Sequence, residues 1–122
     1  MNDSSPTDTA SAGDQDILAA LDAALASRRN GDPERSYTAS LYAGGIPAIT
    51  AKVAEEAQEV IEAANEDDDT HLVHEVADLW FHCMVLLQAR GLDAGAVQNE
   101  LARRFGVSGH QEKAARADHG SA

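Results

Sequence analysis

Six residues in two short strings have the types and the spacing to do chemistry: Lys52, Glu55, Glu56 and Glu59 in Lys-Val-Ala-Glu-Glu-Ala-Gln-Glu, then Glu75 and Asp78 in Glu-Val-Ala-Asp. At the 100° per residue of an α-helix, the first four fall within an arc of roughly 100°. Glu75 and Asp78 are i, i+3 neighbours and share a face one turn apart. Two helices with these faces together gather four or five anions, which repel one another unless cations fill the cluster. Ligation by carboxylate oxygens alone suits a hard divalent ion, Mg²⁺ or Mn²⁺. Val53, Ala57, Val60, Ile61 and Ala64 lie opposite the first acidic face and are the side expected to dock on a core.

Plainer explanations compete at each position. A Glu-Glu-x-x-Glu face by itself is usually solvated surface. Glu75 and Asp78 are harder to explain that way, because their helix is otherwise almost wholly apolar. An unpaired carboxylate buried there costs several kcal/mol or shifts its pKa. Lys52 is placed either for an i, i+4 ion pair with Glu56 or for contact with a phosphate. His74-Glu75-x-x-Asp78 superficially resembles a zinc-peptidase helix, with His71 and His82 as the nearby histidines. Three carboxylates on the preceding helix fit an oxygen-preferring ion better than zinc. Cys83 is the sole cysteine, so neither an intrachain disulfide nor a Cys-based zinc site is available, and it is expected to pack as a small apolar group.

These strings must be positioned by a small scaffold. At 122 residues the chain is expected to form one domain. Nine Lys+Arg against twenty-one Asp+Glu give a net charge of −12, which argues against nucleic-acid and membrane-surface partners. A nucleotide substrate remains compatible if a metal mediates the contact. No signal-peptide pattern and no bilayer-length apolar stretch is apparent, and a reducing, cytoplasmic location is expected. One Trp, two Tyr and two Phe among abundant Ala, Glu and Leu favour helix over sheet. The fold class predicted is all-α, a bundle of four to five helices.

Along the chain, residues 1–13 are small and polar and are expected to be a disordered tail. Ile17, Leu18, Leu21 and Leu25 predict a first helix from about Asp14 to Arg28, stopped by Asn30-Gly31. Asp32-Pro33 reads as the start of a shorter helix carrying Tyr37 and Leu41, ended by Gly44-Gly45. Pro47 opens the first carboxylate helix, which runs to about Asn65. The second spans Thr70 to Arg90, with Gly91 beyond its end, and is apolar around nearly its whole circumference. Such a helix is either central or covered by a partner, and a homodimer is expected. Asp93 caps a further helix closing at Phe105-Gly106. Ser108-Gly-His-Gln111 matches a capping box for a last short helix with Glu112, Lys113 and Arg116. The domain is therefore expected over 14–117, with 118–122 fraying.

The paired motif resembles the all-α nucleotide pyrophosphohydrolases of the MazG-like superfamily. Ser36-Tyr37-Thr-Ala-Ser-Leu41, Lys52-Val-Ala-Glu-Glu56-Ala, Glu75-Val-Ala-Asp78-Leu-Trp-Phe-His82 and Ser108-Gly-His-Gln-Glu112-Lys113-Ala look more narrowly like the phosphoribosyl-ATP pyrophosphatase branch. The likeness covers about Ile17 to Ala117, with Ala54 where that family commonly has Gly. It implies hydrolysis of phosphoribosyl-ATP to phosphoribosyl-AMP and pyrophosphate, the second step of histidine biosynthesis. It also implies Mg²⁺ or Mn²⁺ held by Glu56, Glu59, Glu75 and Asp78, with Glu55 either a further ligand or the base that orients water. Lys52, and with it Lys113 or Arg116, would steady phosphate charge, and Ser36 and Tyr37 would lie on the substrate side or serve as a cap and a packed aromatic. A house-cleaning nucleoside-triphosphate pyrophosphohydrolase acting on dUTP or modified nucleotides carries the same metal motif. A non-catalytic helical dimerisation module is the alternative from another class.

Overall fold

The computed structural model describes the backbone of residues 7–106 and the side chains from residue 17 on. Four α-helices, and no strand, occur among the described residues: α1 Thr7–Ser27, α2 Tyr37–Ala64, α3 Asp69–Ala89 and α4 Ala94–Phe105. The chain divides after Leu92 into two compact units, with α1, α2 and α3 in the first and α4 in the second. The all-α expectation holds. The helix expected around Ser108 to Arg116, with Lys113, and the tail 118–122 lie outside the described residues, as do residues 1–6.

The first helix begins at Thr7, ahead of the Asp14 start read from its apolar spacing. Asp32 does not cap a helix. Its side chain accepts from the Glu34 amide at 3.0 Å, and its carbonyl accepts from the amides of Arg35 and Ser36, closing a turn instead. The cap falls to Ser36, whose hydroxyl accepts from the Ala39 amide at 3.1 Å. Gly44-Gly45 bends the chain rather than ending it. Gly45 takes φ 80° and ψ −177°, a conformation open to glycine at no steric cost, and α2 resumes directly with Pro47 in its first turn. The two helices expected here are thus one element with a kink.

Helix α3 starts on the Asp68 cap, which accepts from the His71 amide. It ends in a Schellman motif: the Leu92 amide reaches the Leu87 carbonyl at 2.8 Å and Gly91 reaches Gln88 at 2.9 Å, with Gly91 at φ 76°. The short link 65–68 makes α2 and α3 antiparallel neighbours. Leu25, Ile49 and Val85, one from each helix of this unit, are its fully buried side chains, each contributing about 1.5–3 kcal/mol by leaving water. Polar contacts tie the same helices together. Buried Gln88 accepts from Arg29 at 2.7 Å and donates to Asp22, while Tyr42 donates to the Leu25 carbonyl.

Among the described residues, α3 is not covered all round. Val73 and Trp80, seven residues apart and so on one face, are 67% and 59% exposed. In the second unit, α4 is capped by Asp93, which accepts from the Ala96 amide at 3.0 Å, and it closes at Gly106 as its sequence predicts.

Candidate active site

The inner stripe of α2 is Ile49, Glu56 and Ala63, spaced by seven and all buried. Glu56 therefore lies on the core-facing line of its helix, although the opposite side was expected to dock. Ile61, expected on the docked side, is 55% exposed. The reason is the partner helix: α3 likewise turns Glu75 and, seven residues on, His82 inward, so that polar groups of the two helices meet in one seam.

Glu56, Glu59 and Glu75 each bring a carboxylate oxygen to within 4.8 Å of the others. Glu56 and Glu75 are both 7% exposed, and the Oε1 atom of each is buried with no hydrogen-bond partner. Orphaned buried acceptors cost about 1–3 kcal/mol each, and more when charged. The hydrogen bond that Glu59 makes with Glu75, followed by the negative charge of Glu75 and Glu56, raises the Glu59 pKa above the ordinary carboxyl value. Such a group of oxygens is satisfied by a shared proton or by a hard cation. Two unpartnered, inward-facing oxygens and an all-carboxylate donor set fit Mg²⁺ or Mn²⁺.

The free oxygen of Glu75 is set by what holds the other one. Glu75 Oε2 lies 3.0 Å from His71 Nε2, and His71 Nδ1 lies 2.8 Å from Glu66 Oε1. Those two carboxylates, Glu66 first, raise the His71 pKa. Asp78 stands apart from the three glutamates and joins Glu75 in an adjoining group with His74, its Oδ2 3.3 Å from His74 Nε2. Of the four expected metal ligands, three thus converge directly and the fourth sits beside them through Glu75.

Lys52 Nζ is 2.6 Å from Glu55 Oε1 and 3.8 Å from Glu56 Oε2. The hydrogen bond from Lys52 holds the Glu55 carboxyl below its ordinary pKa, and the same bond raises that of Lys52. Both expectations for Lys52 are therefore compatible with its place: it pairs within its helix and stands at the edge of the acidic seam. Ser36 caps α2, and Tyr37 at the first turn is half exposed, with its hydroxyl 2.8 Å from His82 Nε2. The other ring nitrogen of His82 lies 2.8 Å from the Asp78 carbonyl oxygen. The paired acids did not single out His82 as a site residue. Its position, four residues past Asp78 and seven past Glu75, is the signal that places it on their face. Lys113 and Arg116 lie outside the described residues. A cleft of about 290 Å³ at the far end of the α2–α3 pair, lined by Arg29, Tyr42, Ile46 and Ala89 among others, shares no residue with this cluster.

The fold and the seam define an all-α protein with carboxylates gathered between facing helices, the donor arrangement from which helical bundles build metal sites in their cores. The family model for phosphoribosyl-ATP pyrophosphohydrolase matches residues 18–105, and the chain belongs to that family. It is similar to the phosphoribosyl-ATP pyrophosphatase of Hydrogenovibrio crunogenus, 50% identical over 106 residues that cover 84% of this chain and 94% of that protein. The Nitrosospira multiformis protein of the same name is 50% identical over 111 residues, covering 88% and 92%. That of an Azoarcus species is 52% identical over 103 residues, covering 84% and 96%.

Proposed function

We propose that this protein hydrolyses the α–β phosphoanhydride of phosphoribosyl-ATP, giving phosphoribosyl-AMP and pyrophosphate, and so performs the second step of histidine biosynthesis. The observation that carries this is the pair of buried, unpartnered oxygens of Glu56 and Glu75 beside Glu59, in a chain of this family. Glu56, Glu59 and Glu75, with Asp78 adjoining, are the residues that would hold Mg²⁺ or Mn²⁺. A divalent cation in such a site supplies charge neutralisation for a triphosphate and polarisation of the scissile anhydride.

The chain's own groups do the rest. Glu55, kept ionised by Lys52, accepts a hydrogen bond from the attacking water and orients it toward the α-phosphorus. Water adds its oxygen to that phosphorus and passes its proton through Glu55 to solvent, while the bond to the bridging oxygen breaks and pyrophosphate leaves with that bond's electron pair. Lys52 offsets the charge that grows on the phosphoryl oxygens, and Ser36 and Tyr37 line the nucleotide side. Lys113 and Arg116 are assigned to phosphate contact by family likeness alone. The exposed Val73 and Trp80 support a homodimer in which a second copy covers this face of α3. No helix among the described residues is long and apolar enough to cross a membrane, which accords with a cytoplasmic enzyme.

The test is pyrophosphate release from phosphoribosyl-ATP and from dUTP, with Mg²⁺ and then with EDTA. Mg²⁺-dependent release from phosphoribosyl-ATP alone is expected. Release from dUTP instead would assign the site to house-cleaning chemistry, and no release from either would leave a helical module.

A further inference from the structure

The proposed reaction leaves part of the string His74-Glu75-Val-Ala-Asp78 unused, since His74 has no role in it. On α3 these three side chains bring a nitrogen and two carboxylate oxygens to within 4.8 Å of one another, in a group joined to that of Glu56 and Glu59 by Glu75 alone. His74 Nε2 and Asp78 Oδ2 stand 3.3 Å apart. A charge-assisted hydrogen bond would draw such a pair to about 2.7–2.9 Å. Two ligands of a tetrahedral Zn²⁺, each about 2.0–2.2 Å from the metal, lie about 3.3–3.6 Å apart. The pair already holds the separation of one edge of that tetrahedron. Spacing alone would make His74 and Asp78 an ordinary i, i+4 pair on a helix surface. The third member argues for a ligand: Glu75 is 7% exposed, its Oε2 is taken by His71 at 3.0 Å, and its Oε1 is buried with no hydrogen-bond partner.

We propose that His74, Glu75 and Asp78 form a second metal position, which selects borderline first-row ions such as Zn²⁺ where the glutamate group selects Mg²⁺. One atom makes the difference. An imidazole nitrogen suits zinc, whereas a set of carboxylate oxygens alone favours the harder ion. The side chains of His74 and Asp78 are 67% and 41% exposed, so the position opens to solvent and water can complete the coordination. Glu75 couples the two positions. It has one unpartnered oxygen to offer, and two dications sharing it repel each other, so each ion weakens the other's binding by the same factor. Zinc here is thus an antagonist of the Mg²⁺ site. That consequence rests on the function proposed above, while the zinc position stands on its own donors.

Binding measurements on the metal-stripped full chain test this without turnover. Zn²⁺ and Mg²⁺ are titrated calorimetrically into wild type, His74→Asn and Glu59→Gln. His74→Asn should weaken Zn²⁺ by about tenfold or more and leave Mg²⁺ within about twofold. Glu59 lies outside the His74 group, and Glu59→Gln should do the reverse. In wild type, saturating Mg²⁺ should weaken Zn²⁺ by about fivefold or more. Because His74 is exposed, its replacement leaves the fold intact.

Spectra of ¹⁵N-histidine-labelled protein identify the ligand. On adding Zn²⁺, the ring nitrogen that shifts furthest should belong to the residue whose signals are missing in His74→Asn. Zinc affinity unchanged in His74→Asn, an equal loss of zinc in His74→Asn and Glu59→Gln, zinc affinity indifferent to bound Mg²⁺, or a shift confined to another histidine would each overturn the inference. Zinc binding that depends on His74 in a protein that binds no Mg²⁺ would uphold the zinc position and count against the proposed reaction.

Discussion

Two acidic regions of this molecule look alike in sequence and differ in physics. On α4, Glu100 lies 2.6 Å from Arg103 and 2.8 Å from Arg104, and hydrogen bonds from the two guanidinium groups bring its carboxyl down to about 2. It is an exposed acid with partners. On α2 and α3, Glu56 and Glu75 are buried, each has an orphaned oxygen, and their neighbour Glu59 is driven in the opposite direction. A helix surface gains little from its acids, typically a few tenths of a kcal/mol per pair. A seam that buries carboxylate oxygens without hydrogen-bond partners carries a cost that Lys52 and His71 at its edge do not remove. The comparison separates acids paired on a helix surface from acids buried with an oxygen left unpartnered.

The largest expected effect comes from removing one seam charge. Glu56→Gln or Glu75→Gln should lower Mg²⁺-dependent pyrophosphate release by about 100-fold or more, whereas Glu100→Gln should leave it within about twofold. Equal loss in all three variants would erase the distinction. The same substitution should have the opposite sign on stability without metal. Glu56→Gln relieves repulsion, so its thermal midpoint in EDTA should rise by about 2–5 °C over wild type. Adding Mg²⁺ should then stabilise wild type, by about 2.7 kcal/mol at a hundredfold excess over Kd, and the variant much less.

A third outcome concerns oligomeric state. Trp80→Glu puts a charge on the apolar face of α3 and should shift sedimentation toward monomer, while a charge reversal on exposed Glu100 should not. An unchanged mass for Trp80→Glu would remove that face from any interface.

The smallest effect is the most diagnostic, because the two regions carry opposite pH signs. Glu100 has a folded pKa near 2, below its ordinary 4.5, so its stabilisation is present above 4.5 and is lost as pH falls toward 2. Glu59 has a raised folded pKa. Its folded state binds the extra proton, so its contribution favours folding near and below 4.5 and is lost as pH rises through the raised value. Denaturant titrations across pH 2–7 in EDTA should show the acid-side loss shrink in Glu100→Gln and the loss on rising pH shrink in Glu59→Gln. A common sign for both variants would defeat the comparison.

Much of this was legible in the chain. Helical spacing, the caps Asp93 and Gly106, and Gly91 beyond α3 are local features, written in a few consecutive residues, and they fall where the sequence predicts. The paired carboxylates were legible as well, because i, i+3 and i, i+4 spacing fixes a shared face whatever the rest of the chain does. Local reading failed where two local signals competed. Asp32-Pro33 has the look of a helix start, yet its carboxylate turned to Glu34 and left Ser36 to cap α2. Gly44-Gly45 has the look of an end, yet one glycine in a left-handed conformation only bends the helix.

The sequence by itself determined which residues share a face, since a helix repeats every 3.6 residues regardless of its surroundings. Only the tertiary structure decided which way each face points. Periodicity placed Glu56 opposite the apolar side of α2 and suggested that the apolar side packs inward. The seam with α3 turned Glu56 to the inside and left Ile61 out, because the orientation of a helix is set by its partner and not by its own pattern. The pairing of Tyr37 with His82, forty-five positions apart, is of the same kind: no spacing rule within one helix reaches across the link between two.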